Sequence, residues 1–73
     1  MNPERGKVFV DSMREASRLA REASQELRIC MAVLDRDDPV EQEVYRGVAE
    51  DSAMLREMAS RLEEAIGEKE GSP

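Results

Sequence analysis

At 73 residues the chain holds one domain at most, and a domain this small rarely buries enough surface to support a core unaided. One cysteine excludes an internal disulfide, no histidine is present, and one Phe, one Tyr and no Trp supply few large side chains, so the missing support is a partner: a second copy or a different protein. Seventeen acidic against eleven basic residues give a net charge of -6, which disfavours non-specific nucleic-acid binding but leaves room for a local basic strip.

The spacing predicts a first helix over about 3–35. Asn2 is placed to cap it and Pro3 fits the first helical position. Gly6 weakens that opening turn, and Ser12-Met13-Arg14-Glu15 forms a second capping box. The alternative start near Met13 would leave Val8-Phe9-Val10 as an extended arm. The early start is preferred because Phe9 fits the register that follows. Phe9, Met13, Ala16, Ala20, Ala23, Leu27, Cys30 and Leu34 recur in alternating steps of four and three, the pattern of a coiled-coil seam. Leu19, Ile29, Met31 and Val33 widen this surface beyond what one neighbouring helix would cover.

Residues 35–38 read as a turn, and Asp38-Pro39-Val40-Glu41 joins an acidic cap, a proline at the first helical position and a glutamate three residues on. A connection this short forces two neighbouring antiparallel helices. The second helix is expected over about 39–66, with Gly67 as its stop and 67–73 as a frayed tail. Its expected seam is Val44, Val48, Asp51, Leu55, Met58, Leu62 and Ala65, broadened by Tyr45, Met54, Ala59 and Ile66. Aligned about the turn, Cys30 or Leu34 falls near Val44, Leu27 near Val48, Ala23 near Asp51, Ala20 near Leu55, Ala16 near Met58 or Ala59, and Met13 near Leu62. Small residues thus face large ones. The fold class expected is all-α: an antiparallel helical hairpin dimerising into a four-helix bundle.

Asp51 is the polar exception in that second seam. It sits at the edge of the interface, or it sets register and orientation in an oligomer, or, least favoured, it is a catalytic or ligand-binding carboxylate. No second group nearby in sequence completes an acid–base pair. Lys7, Arg14, Arg21 and Arg28 recur every seven residues, as do Glu43, Glu50, Glu57 and Glu64. They are either two solvated faces or complementary stripes, with Arg28 by Glu43, Arg21 by Glu50, Arg14 by Glu57 and Lys7 by Glu64. Complementary stripes of this kind penalise wrong alignments more than they stabilise right ones. A phosphate-contacting strip is the weakest of the three readings, because no aromatics interleave it and Glu15 and Glu22 flank it.

No metal or cofactor is expected. A di-metal bundle would use a Glu-x-x-His pattern and there is no histidine; Asp35, Asp37, Asp38 and Glu41 lack calcium-loop spacing; no phosphate-binding glycine loop or nucleophile motif occurs. Met13, Met54 and Met58 read as core, with a methionine-lined groove as the alternative. Charged residues make up 38% of the chain, yet the regular apolar spacing argues against disorder. No apolar run is long enough to cross a bilayer and the opening residues lack a signal-peptide pattern. Cys30 in a core position favours a reducing, cytoplasmic setting. The function expected is a non-enzymatic interaction or assembly module: an adaptor, chaperone-like or regulatory subunit. A small nucleic-acid-associated regulator using the basic stripe is the alternative.

Overall fold

A computed structural model describes residues 3–71. Two α-helices, α1 (Pro3–Val33, 31 residues) and α2 (Pro39–Glu70, 32 residues), pack side by side as an antiparallel hairpin. The hairpin is a rod of 55 × 14 × 13 Å, as expected for two helices of about 47 Å lying side by side. The Asn2 cap and the last two residues of the expected tail lie outside the described residues.

α1 is helical from Pro3 onward, so Val8-Phe9-Val10 belongs to the helix and not to an extended arm. It ends at Val33, two residues before the expected boundary, and Leu34 closes it with a turn bond to the Met31 carbonyl at 3.4 Å. In the turn, the Asp35 carboxylate accepts the Asp37 amide at 2.9 Å, an Asx-turn that reverses the chain. Asp38 then caps α2, its Oδ1 accepting the Val40 and Glu41 amides at 2.8 and 3.3 Å. Glu41 does not close the reciprocal box onto the cap amide. Its carboxylate accepts the Asp35 amide instead, at 3.3 Å, bracing the opposite end of the turn. The Arg36 guanidinium lies 4.7 Å from the centre of the Tyr45 ring and packs the turn against α2.

α2 does not stop at Gly67 but runs on to Glu70, and Gly71 closes it by donating its amide to the Gly67 carbonyl at 2.8 Å. No glycine among the described residues has a positive φ, so Gly67 holds no left-handed cap conformation. A Cβ built there meets nothing within 4 Å. Gly67→Ala is therefore expected to raise stability by about 0.5–1 kcal/mol in chemical denaturation. A glycine acting as a left-handed stop would give a loss instead.

The core differs from the expected seam by a consistent phase. The inward positions of α1 are Val10, Met13, Ser17, Ala20, Ser24, Leu27, Met31 and Leu34; those of α2 are Tyr45, Val48, Ser52, Leu55, Ala59, Leu62 and Ile66. Half of the expected positions hold: Met13, Ala20, Leu27 and Leu34 on α1, Val48, Leu55 and Leu62 on α2. The other half move one residue on: Phe9, Ala16, Ala23 and Cys30 give way to Val10, Ser17, Ser24 and Met31, and Val44, Asp51, Met58 and Ala65 give way to Tyr45, Ser52, Ala59 and Ile66. The reason is size and hydrogen bonding. Serines at 17, 24 and 52 are small enough for close approach, and Ser24 and Ser52 satisfy each other across the interface. The Ser24 hydroxyl lies 3.2 Å from the Ser52 carbonyl, the Ser52 hydroxyl 3.2 Å from the Ser24 carbonyl, and the two oxygens 3.0 Å apart. Two hydroxyl protons serve these three approaches, so at most two are hydrogen bonds at once.

Candidate functional site: an apolar flank and a charged flank

The phase of the core decides what each side of the rod presents. On one side, the positions just after the inward leucines and alanines form a charged row. Arg14 pairs with Glu70, and Arg21 forks onto Glu63 with contacts of 2.8 and 2.5 Å. Each step of seven toward the turn on α1 matches a step of seven on α2, so the next level sets Arg28 across from Arg56. These two line a shallow groove with Arg21, Ser24, Gln25, Ile29 and Ala32.

This row replaces the expected stripe pairing. The Glu43, Glu50, Glu57 and Glu64 stripe lies on the outward side of α2 and does not face the α1 basic residues. Glu43 and Glu57 pair within their own helix, with Arg46 at 3.8 Å and Arg61 at 2.7 Å, while Glu50 lines a groove with Arg36, Tyr45 and Arg46. On α1, Arg18 is held between Glu15 and Glu22. Its hydrogen bond draws the Glu15 carboxyl below the ordinary carboxylate range, and the same contact with Arg21 does so for Glu63. A carboxyl whose pKa falls on folding adds stability above its unfolded value of about 4.3 and loses it as pH drops through the folded value. Glu63→Gln is therefore expected to flatten the acid limb of thermal stability between about pH 5 and pH 3, with a small amplitude because the pair is exposed to solvent. An acid limb as steep as that of the wild type would show that the pair contributes nothing.

The other side is apolar. The positions just before the inward residues face out along one flank: Phe9, Ala16, Ala23 and Cys30 on α1, Val44, Asp51, Met58 and Ala65 on α2. Phe9 and Ala65 share a groove with Glu68 and Lys69, which fixes both rows on the same side, and the Lys69 ammonium lies 5.7 Å from the Phe9 ring centre. One turn further out lie Leu19 and Val33 on α1, Val40 and Met54 on α2. Leu19 is 51% exposed, Met54 60%, Val33 78% and Val40 73%.

The pairs expected to interlock in the hairpin core, Cys30 with Val44, Ala23 with Asp51 and Ala16 with Met58, are thus level with each other on this open flank. Asp51 is exposed in its middle and Cys30 is an exposed free thiol, not a core residue. Tyr45 and Ile66, expected to broaden the outer surface, belong to the core, and Ile66 is buried. Ile29 points to the charged side and lines the Arg28–Arg56 groove.

Among the described residues, no group of three or more carboxylate or thiol side chains is placed to hold a metal ion, and no helix is long and apolar enough to cross a membrane. Among the described residues the buried apolar ones are Ala20, Ala59 and Ile66, and no large side chain is fully buried. No family model matches this chain, nor does any curated protein or solved structure.

Proposed function

We propose that the chain is a non-enzymatic assembly module in which two copies of the hairpin join through their apolar flanks to form a four-helix, coiled-coil-like bundle. The observation that carries this reading is the mismatch between core and surface. The hairpin interior is built from alanines, serines and half-buried residues, while Phe9, Leu19, Val33, Val40, Val44, Met54 and Met58 lie exposed along one side. The accessible surface is 5671 Å², whereas a folded monomer of 8.2 kDa exposes about 4,500 Å². The excess, about 1,200 Å², is larger than the roughly 800 Å² that each partner buries in a standard interface, so one such interface fits within it. A two-fold pairing covers this flank with itself, since the same patch serves both copies.

Sedimentation analysis across protein concentration tests the reading. The expected result is a dimer whose helical signal weakens as dilution separates the copies. A stably folded monomer at low micromolar concentration would overturn it and leave the flank to a different helical protein. The nucleic-acid alternative is less favoured, because Arg14 and Arg21 of the basic stripe are already held by Glu70 and Glu63. A cytoplasmic setting belongs to the same proposal: a lone exposed thiol persists as a thiol where cellular reductants maintain it.

A further inference from the structure

Resting on that dimer, we propose its orientation: the two hairpins lie with their turns at opposite ends, and Asp51 of each copy pairs with Arg61 of the partner subunit. Two two-fold arrangements bring the apolar flanks together. With the turns at the same end, α1 lies over the partner's α2. With the turns at opposite ends, α1 lies over the partner's α1 and α2 over the partner's α2.

The charges on the flank separate these arrangements. Along α2 the outward row reads Val44, Gly47, Asp51, Met54, Met58, Arg61 and Ala65. Turned end for end about a point between Met54 and Met58, this row matches itself. Met54 meets Met58, Asp51 meets Arg61, Gly47 meets Ala65, and Val44 at the end of the row falls opposite the stem of Glu68. The same axis passes beside Leu19 on α1, where Leu19 meets its own copy, Ala16 meets Ala23 and Phe9 meets Cys30. The axis falls near the middle of both helices, so almost the full length of each is used. In the same-end arrangement Asp51 lies over Ala23 with Glu26 one turn away and no cation at that level, a placement that crowds carboxylates in both halves of the bundle.

Two further observations fit the opposite-end form. Arg61 is exposed and spends one Nη on Glu57, so its remaining donors are available to a second carboxylate. Gly47 sits inside α2 where a Cβ would meet nothing within 4 Å, so its own hairpin gives no reason for a glycine. Close approach by the partner's α2 gives one.

A charge swap and directed cross-linking test the orientation. Asp51→Arg and Arg61→Asp are each expected to weaken dimerisation at least tenfold, and the double variant Asp51→Arg/Arg61→Asp to recover most of it, because the pair is exchanged and not lost. In a Cys30→Ser background, Leu19→Cys is expected to form a disulfide with its own copy on mild oxidation. A mixture of Leu19→Cys and Met54→Cys chains is expected to give the Leu19→Cys self-dimer in preference to the mixed species. A dimer that shows no recovery in the double variant, or cross-links position 19 to position 54 instead, overturns the orientation and leaves the dimer standing. A monomeric wild type overturns both.

Discussion

Leu19→Glu is expected to dissociate the assembly and to remove most of the helical circular-dichroism signal at micromolar concentration, whereas Ile29→Glu is expected to change little. Both residues are about half exposed in the hairpin, at 51% and 53%, and both stand out in the sequence as apolar residues beyond the seam. They differ in the side of the rod they occupy. Leu19 lies on the apolar flank, close to where the proposed two-fold axis would pass, so in that dimer one substitution places two carboxylates near each other in the covered surface. Leaving a buried charge unpaired costs several kcal/mol, and the lost leucine contact adds about 2 kcal/mol per copy. A dimer weakened by more than a hundredfold follows. Ile29 borders the groove of Arg21, Arg28 and Arg56, where a carboxylate meets cations and water. Its replacement is expected to shift stability by no more than about 0.5 kcal/mol. Met54→Glu should behave as Leu19→Glu does. The check is sedimentation and circular dichroism at matched protomer concentration, because the apparent stability of an oligomer depends on it. Equal effects from Leu19→Glu and Ile29→Glu would remove the distinction between the two flanks, and with it the proposed interface.

The hairpin was legible in the sequence because its signals are local and redundant. The Asp38-Pro39 start, the acidic turn and two long segments of four-three spacing all point the same way, and the structure agrees on each. The phase of the core was half legible. Met13, Ala20 and Leu27 on α1 and Val48, Leu55 and Leu62 on α2 are apolar on either reading. The companion positions are ambiguous because each apolar residue has a small polar or apolar neighbour: Ala16 beside Ser17, Ala23 beside Ser24, Met58 beside Ala59. Ranking by hydrophobicity selects Ala16, Ala23 and Met58; close packing with satisfied hydroxyls selects Ser17, Ser24 and Ala59. The Asp51 beside Ser52 carried the available clue, since a carboxylate is a poorer core residue than a hydroxyl that can reach a carbonyl across the interface. The ion pairs were missed for the same reason. A one-residue rotation of α2 turns the Glu43, Glu50, Glu57 and Glu64 stripe outward and brings Glu63 and Glu70, which lie outside that stripe, onto Arg21 and Arg14. The continuation of α2 past Gly67 was hidden because glycine is compatible with both a stop and a helix, and only the backbone decides between them.

Ser52→Leu is expected to destabilise the protein by about 3 kcal/mol, enough to leave little folded hairpin, while Asp51→Leu next to it is expected to retain the helical signal at high concentration. Ser52 is 2% exposed and Ser24, across from it, is 2% exposed as well. Their side-chain and backbone oxygens approach to between 3.0 and 3.2 Å, so the helices pack closely here and leave no room for a larger side chain. A leucine at position 52 would push α1 and α2 apart, strip Ser24 of its partner and loosen the adjacent Ala20 and Ala59 packing, placing it at the upper end of overpacking costs. The milder changes follow from the proton count. In Ser52→Ala the Ser24 hydroxyl still reaches the Ser52 carbonyl, so no buried donor is stranded and the cost stays near 1 kcal/mol. In Ser24→Ala the Ser52 hydroxyl does the same for the Ser24 carbonyl. The double alanine variant loses both bonds but strands no hydroxyl, and the two single effects need not add. A denaturation cycle over wild type, both single alanine variants and the double variant measures that coupling, with Ser52→Leu and Asp51→Leu run beside it. If Asp51→Leu collapses the fold and Ser52→Leu is tolerated, the seam runs through Val44, Asp51 and Met58 after all, the serine contact is not the centre of the hairpin, and the apolar flank proposed for assembly is the inside of the helix pair.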